Sequence, residues 1–335
     1  MLSTAIIGAG GIARKHVEAL LRIPDVRVAC VLDPNNDNAR AVAAMCGAEV
    51  SGDIGDVLDR VQMIHLLSPP SKRVEYAQPA LRAGKHVFCE KPLAASAADG
   101  AKLAGLAKKN GAIFMTAFNM RFRPGYLALQ KDVLSGRLGE VVSAWSHRIG
   151  PGTGFNAPMG DSWRTEPGLI CGMTIESLSH DIDMLHGLGL EIGGVAAWVK
   201  DNRPDLPGFD NNAQLLIRLK NGGSAVINAS WSSHLPMSSR GVVGAKGTAV
   251  LAGNGFFDFM TYRRVTNDGE DMIEINDPFD GESYYAENLH FIECVKTGKA
   301  PIVNEDSGAL ALKVSLAALK SAKSGNFVPV EDSAW

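Results

Sequence analysis

Over the first 120 residues, short apolar runs alternate with segments whose apolar positions recur at helical spacing. Most of these runs are followed by glycine, proline or polar residues, as expected for strands that end at the edge of a sheet. The runs interpreted as strands are 4–7, 26–32, 63–67, 86–89 and 113–115, and the helical segments include 74–81 and 96–109. Because parallel strands need crossover connections, this alternation predicts a doubly wound parallel sheet of about six strands.

The pattern changes after about residue 120, where alternating runs are joined by short turns. The runs 213–219 and 224–231 flank Asn221-Gly222-Gly223, which is typical of a hairpin turn. Similar pairs lie around 244–247 and 257–265. They predict an open, mainly antiparallel sheet with helices on one face. We expect a second copy of the chain to cover the other face, which would give a homodimer or a homotetramer.

These two patterns divide the 335-residue chain into two domains. We expect an α/β fold in which residues 1–120 form the doubly wound domain and residues 121–335 form an α+β domain. A helix at about 305–324 carries small and apolar residues on one side. We expect this side to pack back against the first domain.

Composition and charge exclude several classes of protein. The formal net charge of -3 argues against a nucleic-acid or anionic-membrane partner. No apolar run approaches the length of a membrane helix, and the first strand follows Met1 without a basic leader. Five scattered cysteines, an odd number without paired spacing, indicate neither a disulfide framework nor a zinc site. These features are typical of a protein of the reducing cytoplasm.

The first predicted strand leads into a glycine-rich turn and then a helical pattern. The turn 8–13 lets the backbone approach a pyrophosphate, and the following helix offers free N–H groups to this anion. We therefore predict a dinucleotide-binding Rossmann domain, in which the loop after the strand 63–67 also lies along the cofactor. The residues assigned to the cofactor here are Gly8, Gly10, Gly11, Ile12, Ser68 and Pro69.

Asp33 stands at the end of the second predicted strand, 25 residues after Gly8. A carboxylate at this position accepts hydrogen bonds from ribose hydroxyls and repels a 2′-phosphate. The next residues, 34–36, include no arginine to hold that phosphate, so NAD is expected rather than NADP. Alternatively, Asp33 only caps the helix that begins near Asn35.

Lys91 follows the apolar run 86–89, directly after Glu90 and before Pro92. The carboxyl ends of parallel strands are where α/β proteins bind ligands, and a neighbouring carboxylate can hold or tune the amine. Glu90 and Lys91 are therefore candidates for the cofactor site, and Lys91 is also a candidate for catalysis. Taken alone, a lysine here is more often a solvated surface residue.

A second group of titratable residues occurs in 173–185. If this segment is one helix, Glu176, His180 and Asp183 share one face. Carboxylates beside a histidine hold one tautomer and make the ring a better proton acceptor, which predicts a general base. The alternative is a core histidine satisfied by a neighbouring acid. A metal site is not expected, because His186, the nearest other histidine, is six residues away and faces elsewhere.

Taken together, these segments closely resemble the oxidoreductase family named after glucose-fructose oxidoreductase, inositol dehydrogenase and the rhizopine-catabolism protein MocA. The similarity spans nearly the whole sequence and includes the glycine turn, 83–94 with its Glu-Lys-Pro, 118–124, 162–164 and the His-Asp-Ile-Asp of 180–183. The resemblance implies that Lys91 and His180 carry the catalysis and that Asp183 supports the histidine or binds substrate. Glu176 stands where inositol dehydrogenases usually have an aspartate.

Departures from the family pattern concern the substrate. Arg73 stands where many relatives have a histidine, and 168–172 replaces the common triple glycine before the histidine segment. Polar and aromatic residues suited to several hydroxyl groups indicate a sugar or polyol, although each also has a structural interpretation. These candidate substrate residues are Asn119, Arg121, Asn156, Trp163 and Arg164.

The candidate residues predict the oxidation of a secondary alcohol. His180 would remove the hydroxyl proton, the Lys91 ammonium would stabilise the developing alkoxide, and NAD would take the hydride. Two other classes are considered. One is a hydrolase that uses tightly held NAD for an internal redox cycle, and the other is a non-catalytic sugar or nucleotide sensor. The presence of both Lys91 and His180 argues against the sensor.

Overall fold

The computed structural model describes residues 1–151, 163–166, 169, 171–203, 206–255, 258–277 and 281–330. The chain forms two compact units. Unit 1 comprises residues 1–119 and 280–312, and unit 2 comprises residues 120–279 and 313–334.

Unit 1 contains a six-stranded sheet with the order β3-β2-β1-β4-β5-β6, in which all neighbouring strands are parallel. This confirms the predicted doubly wound sheet. The order reverses between β1 and β4, and ligands of such sheets bind beyond the carboxyl ends of the strands at that point. The strands are β1 (Leu2–Ile7), β2 (Val26–Leu32), β3 (Glu49–Ser51), β4 (Met63–Leu66), β5 (His86–Glu90) and β6 (Phe114–Ala117). The helices between them are α1 (Gly11–Leu21), α2 (Asn36–Cys46), α3 (Ile54–Asp59), α4 (Arg73–Arg82) and α5 (Ala97–Asn110).

Local sequence sets the ends of these helices. The side chains of Asn35 and Ser96 accept N–H groups in the first turns of α2 and α5. Gly47 and Gly111 end the same helices in the left-handed conformation, which glycine adopts without strain. The cap of α2 is therefore Asn35. The alternative that Asp33 caps this helix is wrong.

Unit 2 contains a nine-stranded sheet with the order β14-β13-β12-β11-β7-β10-β9-β8-β15. The β7–β10 pair is parallel and the other pairs are antiparallel, so the prediction of a mainly antiparallel sheet is confirmed. The predicted hairpin is present as β9 and β10. The elements are α6 (Pro124–Leu134), β7 (Val141–Ile149), β8 (Ile192–Lys200), β9 (Asn212–Leu219), β10 (Ser224–Ser230), β11 (Met237–Gly244), β12 (Gly247–Gly253), β13 (Phe259–Thr266), β14 (Gly269–Asp277) and β15 (Val328–Pro329).

The two faces of this sheet differ in exposure. Along β9 buried and exposed side chains alternate, because successive side chains of a strand point to opposite faces. Leu216 on the outer face lies opposite Val226, and Trp198 belongs to the same face through its pairing with Gln214. All three apolar side chains are exposed, and Trp198 keeps 68% of its surface accessible. The outer face is therefore an exposed surface with apolar side chains.

The segment expected to form one helix from 173 to 185 is instead two helices, α7 (Gly172–Glu176) and α8 (Ser179–Gly187). The N–H groups of Ser177 and Leu178 both donate to the carbonyl of Met173, so the helical hydrogen-bond ladder slips by one residue. The carbonyl of Ser177 accepts from Arg148 on β7 at 2.9 Å. This bond comes from a distant strand, and the local periodicity could not predict it.

Residues 280–312 belong to unit 1, although the sequence-based boundary placed them in the second domain. They contain α9 (Glu282–Thr297) and the first part of α10 (Glu305–Ser324), whose later residues belong to unit 2. Phe291 of α9 packs edge-on against Phe88 of β5 and His65 of β4. The periodicity of α9 indicates a helix, but it does not identify the sheet that the helix covers.

No helix among the described residues has the length and apolar character needed to span a bilayer. Within the same residues, no group of three or more His, Cys, Asp or Glu side chains is arranged to hold a metal ion.

Candidate active site

The glycine turn between β1 and α1 has the geometry of an anion site. Gly8 has a φ of +97°, and a Cβ at this position would lie 2.7 Å from the backbone nitrogen of Ser68. Gly10 and Gly11 are exposed, and α1 begins without a side-chain cap and without an acidic residue in its first turn. The first N–H groups of the helix are therefore available to a phosphate.

Asp33 follows β2 and is fixed beside this turn. One carboxylate oxygen accepts the N–H of Ala9 at 2.6 Å, and the other accepts the N–H of Asn35 at 2.7 Å. The side chain is half-buried, so its charge lies at the edge of the turn. A carboxylate held here suits a ribose diol and opposes a 2′-phosphate. The structure therefore brings Asp33 and the glycine turn together in a way that fits NAD.

The loop after β4 is tied to the segment after β5 by Arg73. This arginine is 2% exposed, and it donates to the carbonyl oxygens of Ser68, at 3.3 Å, and Lys91, at 3.1 Å. Its guanidinium thus joins the backbones of these two segments. Ser68 is buried and Pro69 is half-buried.

Glu90 is the last residue of β5, and it is buried. One of its oxygens lies 3.1 Å from Nε2 of His16, and the other accepts the N–H of Lys91 at 2.9 Å. Burial works to raise the pKa of Glu90, but the His16 hydrogen bond and the charges of Lys91 and Arg73 bring this pKa below its usual value. Glu90 is therefore an ionised group directly beside the half-buried Lys91.

In unit 2 the predicted site acids are paired with arginines. Arg164 donates to Glu176 at 2.7 Å, and its guanidinium lies 4.2 Å from the centre of the Trp163 ring. The structure thus brings Trp163, Arg164 and Glu176 into one contact group. Glu176 is buried, whereas the other two side chains are half-buried.

Arg121 and Asp183 form a buried bidentate ion pair. The two hydrogen bonds are 2.7 and 3.1 Å long. Burial raises the pKa of Asp183, and the Arg121 charge opposes this effect only in part. A Cβ at position 187 would lie 2.1 Å from the Arg121 guanidinium, so Gly187 gives the arginine its space. His180 is half-buried near the start of α8.

Two candidate substrate residues remain, Asn119 and Asn156. Asn119 is buried in unit 1, where its amide donates to Ser283 of α9 at 3.2 Å. Asn156 lies outside the described residues.

Sequence reasoning missed three buried polar residues near the candidate site segments. His16 and Asn288 contact each other in unit 1, and His16 contacts Glu90. Asp210 accepts the N–H and the hydroxyl of Thr174 at the start of α7. One signal was present: His16 occupies a core-facing position of α1, where a polar side chain is unusual.

Two family models match the chain. The oxidoreductase family model with an NAD-binding Rossmann fold matches residues 2–118, and the model of the C-terminal alpha/beta domain of this family matches residues 130–331. The chain belongs to the Gfo/Idh/MocA oxidoreductase family. The resemblance inferred from the motifs is thus confirmed, together with the fold class.

Relatives in this family match over almost the full length. The scyllo-inositol 2-dehydrogenase (NAD(+)) of Bacillus subtilis is 27% identical over 336 residues, which cover 98% of this chain and 95% of that protein. The myo-inositol 2-dehydrogenase of Thermotoga maritima is 29% identical over 338 residues, which cover 98% of both chains. The structure of levoglucosan dehydrogenase with NADH and levoglucosan has a TM-score of 0.87 and 20% identity, and covers 99% of this chain and 100% of that one. At this identity the last similarity shows the fold alone.

Membership of the Gfo/Idh/MocA family makes this protein an oxidoreductase whose first unit is an NAD-binding Rossmann domain. The prediction of NAD as the cofactor is confirmed. The glycine turn and Asp33 fit this cofactor on their own geometry, because they present free N–H groups and a fixed carboxylate.

Proposed function

We propose that the protein is an NAD-dependent dehydrogenase that oxidises a secondary hydroxyl group of a sugar or polyol, with inositols as the first candidates. The observation that carries the proposal is the fixed Glu90–Lys91 segment at the end of β5, in the unit that contains the glycine turn. The two inositol 2-dehydrogenases that match over 98% of this chain support the substrate class.

Oxidation of a secondary alcohol needs a base for the hydroxyl proton and a cation for the developing alkoxide. His180 takes the proton in this proposal, and the Lys91 ammonium stabilises the developing alkoxide. The glycine turn, Asp33 and the Ser68–Pro69 loop would hold NAD, which when bound supplies the hydride acceptor. In this division of roles, the protein side chains transfer only the proton.

Substrate recognition is assigned to the half-buried contact group of Trp163 and Arg164. Glu176 holds the Arg164 guanidinium, which lies over the Trp163 ring, so the group offers an aromatic and a cationic side chain for binding hydroxyl groups. Arg121 would act by holding Asp183, since the two form a buried pair and Asp183 lies three residues after His180 on α8. Asn119 and Asn156 stay candidate substrate residues.

The proposal is tested by NADH absorbance at alkaline pH with NAD and a panel of inositols, aldoses, sugar acids and nucleotide sugars, with NADP in parallel. We expect NADH formation with one class of compound, a strong preference for NAD, and loss of turnover in His180→Ala. A flat panel with tightly bound, non-exchanging NAD would contradict the proposal and favour an internal-redox hydrolase.

Lys91→Met separates catalysis from cofactor binding. If Lys91 acts on the alkoxide, the variant loses turnover but keeps the NAD dissociation constant, which quenching of protein fluorescence measures. An equal loss of NAD affinity would make Lys91 a cofactor ligand instead.

We also propose that the outer face of the unit 2 sheet joins two copies of the chain. The exposed Trp198, Leu216 and Val226 support this assembly, because exposed apolar patches on a sheet mark interaction surfaces. Leu216→Lys should lower the mass measured by analytical ultracentrifugation. Leu21→Lys, at an exposed position of α1, is the matched control. An unchanged mass in Leu216→Lys would contradict the interface.

A cytoplasmic location completes the proposal. All five cysteines are free thiols, as expected in a reducing compartment. Recovery of the protein in an oxidising compartment on cell fractionation would contradict it.

A further inference from the structure

The orientation of one side-chain amide in unit 1 is fixed by a helix carbonyl. Asn288 of α9 donates from Nδ2 to the carbonyl oxygen of Tyr284 at 2.7 Å. The reverse orientation would place two acceptor oxygens at this distance and is excluded. The same Nδ2 lies 3.0 Å from Nδ1 of His16, and Oδ1 lies 2.9 Å from Nε2 of His65. Asn288 therefore donates to His16 and accepts from His65.

These roles determine the proton positions on both histidines. His65 carries its proton on Nε2, and its Nδ1 accepts from the hydroxyl of Thr4 at 2.8 Å. His16 is an acceptor at Nδ1, so its proton is on Nε2, which faces Glu90 at 3.1 Å. A directed chain of hydrogen bonds thus runs through uncharged groups from Thr4 to Glu90. The five side chains that form this chain of hydrogen bonds are all buried.

This chain of hydrogen bonds ends at Glu90, the residue that precedes Lys91. The second oxygen of Glu90 accepts the Lys91 N–H at 2.9 Å, so the carboxylate is held on both sides. Three other groups interact electrostatically with Glu90. The charge of Arg73 lowers the pKa of Glu90, and the charge of Glu90 raises the pKa values of Cys89 and Glu287. Glu287 of α9 is fully buried, and neither of its oxygens has a hydrogen-bond partner among the described residues. Burial, with the Glu90 charge, raises the pKa of Glu287 well above its usual value, so Glu90 carries the negative charge.

We propose that His16, held in its Nε2–H tautomer by Asn288, is a positioning residue for the oxidation. It fixes the Glu90 carboxylate, which holds the Lys91 main chain and stabilises the positive charge of the Lys91 ammonium. This inference rests on the proposed function. His16 is fully buried and acts through Glu90, without touching the substrate. Its imidazole supplies a donor without a positive charge, so the charge of Glu90 stays available to the lysine.

The first test reads the tautomer and is independent of activity. In ¹⁵N-histidine-labelled protein, protonated and unprotonated ring nitrogens have well-separated chemical shifts. The His16 signals, assigned by their absence in His16→Gln, should show a protonated Nε2 and an unprotonated Nδ1 at neutral pH. An Nδ1–H tautomer or an imidazolium at neutral pH would overturn the proposal.

The second test separates the two ring nitrogens of His16. His16→Gln places an amide nitrogen near the position of Nε2 and keeps a donor for Glu90, whereas His16→Asn reaches only the position of Nδ1. We expect His16→Asn to lower kcat at neutral pH by about tenfold, because one hydrogen bond to a charged group is lost. The acid limb of the pH profile of kcat/KM should move to higher pH. His16→Gln should keep the wild-type pH profile.

Thr4→Val is the matched control, because it shortens the same chain at the end distant from Glu90. It should lower thermal stability without moving the pH profile. Equal profiles for His16→Asn, His16→Gln and Thr4→Val would overturn the proposal and leave a structural network. If the wild-type protein oxidises no compound of the panel, the proposed function fails, while the His16 signals still show whether the tautomer is as inferred.

Discussion

Glu90 in unit 1 and Asp181 in unit 2 are both buried carboxylates, but their donors differ. Glu90 is held by a histidine ring and a main-chain N–H. Asp181 accepts from the guanidinium groups of Arg148 and Arg240 at 2.7 and 3.0 Å. Burial works to raise the pKa of Asp181, and the two arginine charges bring it below its usual value. One carboxylate is thus stabilised mainly by hydrogen bonds, and the other mainly by opposite charges.

The surroundings of two candidate catalytic residues, His180 and Lys91, differ in the same way. The α7–α8 segment contains three acids, and each accepts from at least one arginine, so the charge near His180 is largely balanced. Beside Lys91, the Glu90 carboxylate is held instead by a histidine ring and a main-chain N–H. The sequence suggested that acids enhance the basicity of His180. The structure gives these acids arginine partners, and it places the available negative charge next to the lysine.

The largest expected effect comes from removing the acid of the unit 2 cluster. Asp181→Asn leaves two buried arginines without their counter-charge. We expect the free energy of unfolding to fall by about 3–5 kcal/mol, because a stranded buried charge costs more than a lost hydrogen bond. Urea denaturation followed by circular dichroism measures this loss.

Asp37→Asn is the control for this prediction, because it breaks an exposed ion pair with Arg40 and should leave the urea midpoint unchanged. If Asp181→Asn does not fold, replacing Asp181 and both arginines by apolar residues should restore folding. A loss below about 1 kcal/mol in Asp181→Asn would show that the arginines find other partners, and the comparison with Glu90 would fail.

Both sheets and most helices could be predicted from the sequence, because strand and helix periodicities are local. The helix predicted at about 305–324 is α10 (Glu305–Ser324) in the structure. The glycine turn and Asp33 could also be assigned, since their spacing follows from the strand–turn–helix unit. These features need no knowledge of distant contacts.

The partners of buried polar groups could not be predicted. The break between α7 and α8 coincides with a bond from Arg148, far upstream in the chain, to the carbonyl of Ser177. The contact between His16 and Asn288 joins positions 272 residues apart. Sequence periodicity marks such residues as core-facing, but only the tertiary structure identifies the donor and its acceptor.

A smaller effect is expected at Asp210, a unit 2 acid held by neutral donors. Burial raises the pKa of Asp210 to about 6, because the N–H and hydroxyl of Thr174 offset the loss of water only in part. The folded state therefore binds the proton more tightly than the unfolded state. The resulting stability is complete below about pH 4 and is lost as the pH rises through about 6, with a total of about 3 kcal/mol.

Asp210→Asn should remove this pH dependence while keeping an acceptor for Thr174. Urea midpoints between pH 4 and 7 for the variant and the wild type give the two slopes. Parallel slopes would mean that Asp210 is ionised in the folded protein at low pH, as Asp181 is, and that the absence of an arginine does not distinguish the two acids.

The smallest effect is expected in the chain of hydrogen bonds from Thr4 to Glu90 in unit 1. Thr4→Val keeps the side-chain shape but removes the donor to Nδ1 of His65. Burial lowers the pKa of His65 to about 3, so the ring stays neutral and no charge is stranded. We expect a loss of about 1–2 kcal/mol in the free energy of unfolding, measured by urea denaturation at neutral pH. A loss as large as that of Asp181→Asn would show that uncharged hydrogen-bond chains are as sensitive to one missing partner as buried ion pairs, and charge would then not explain the difference between the two units.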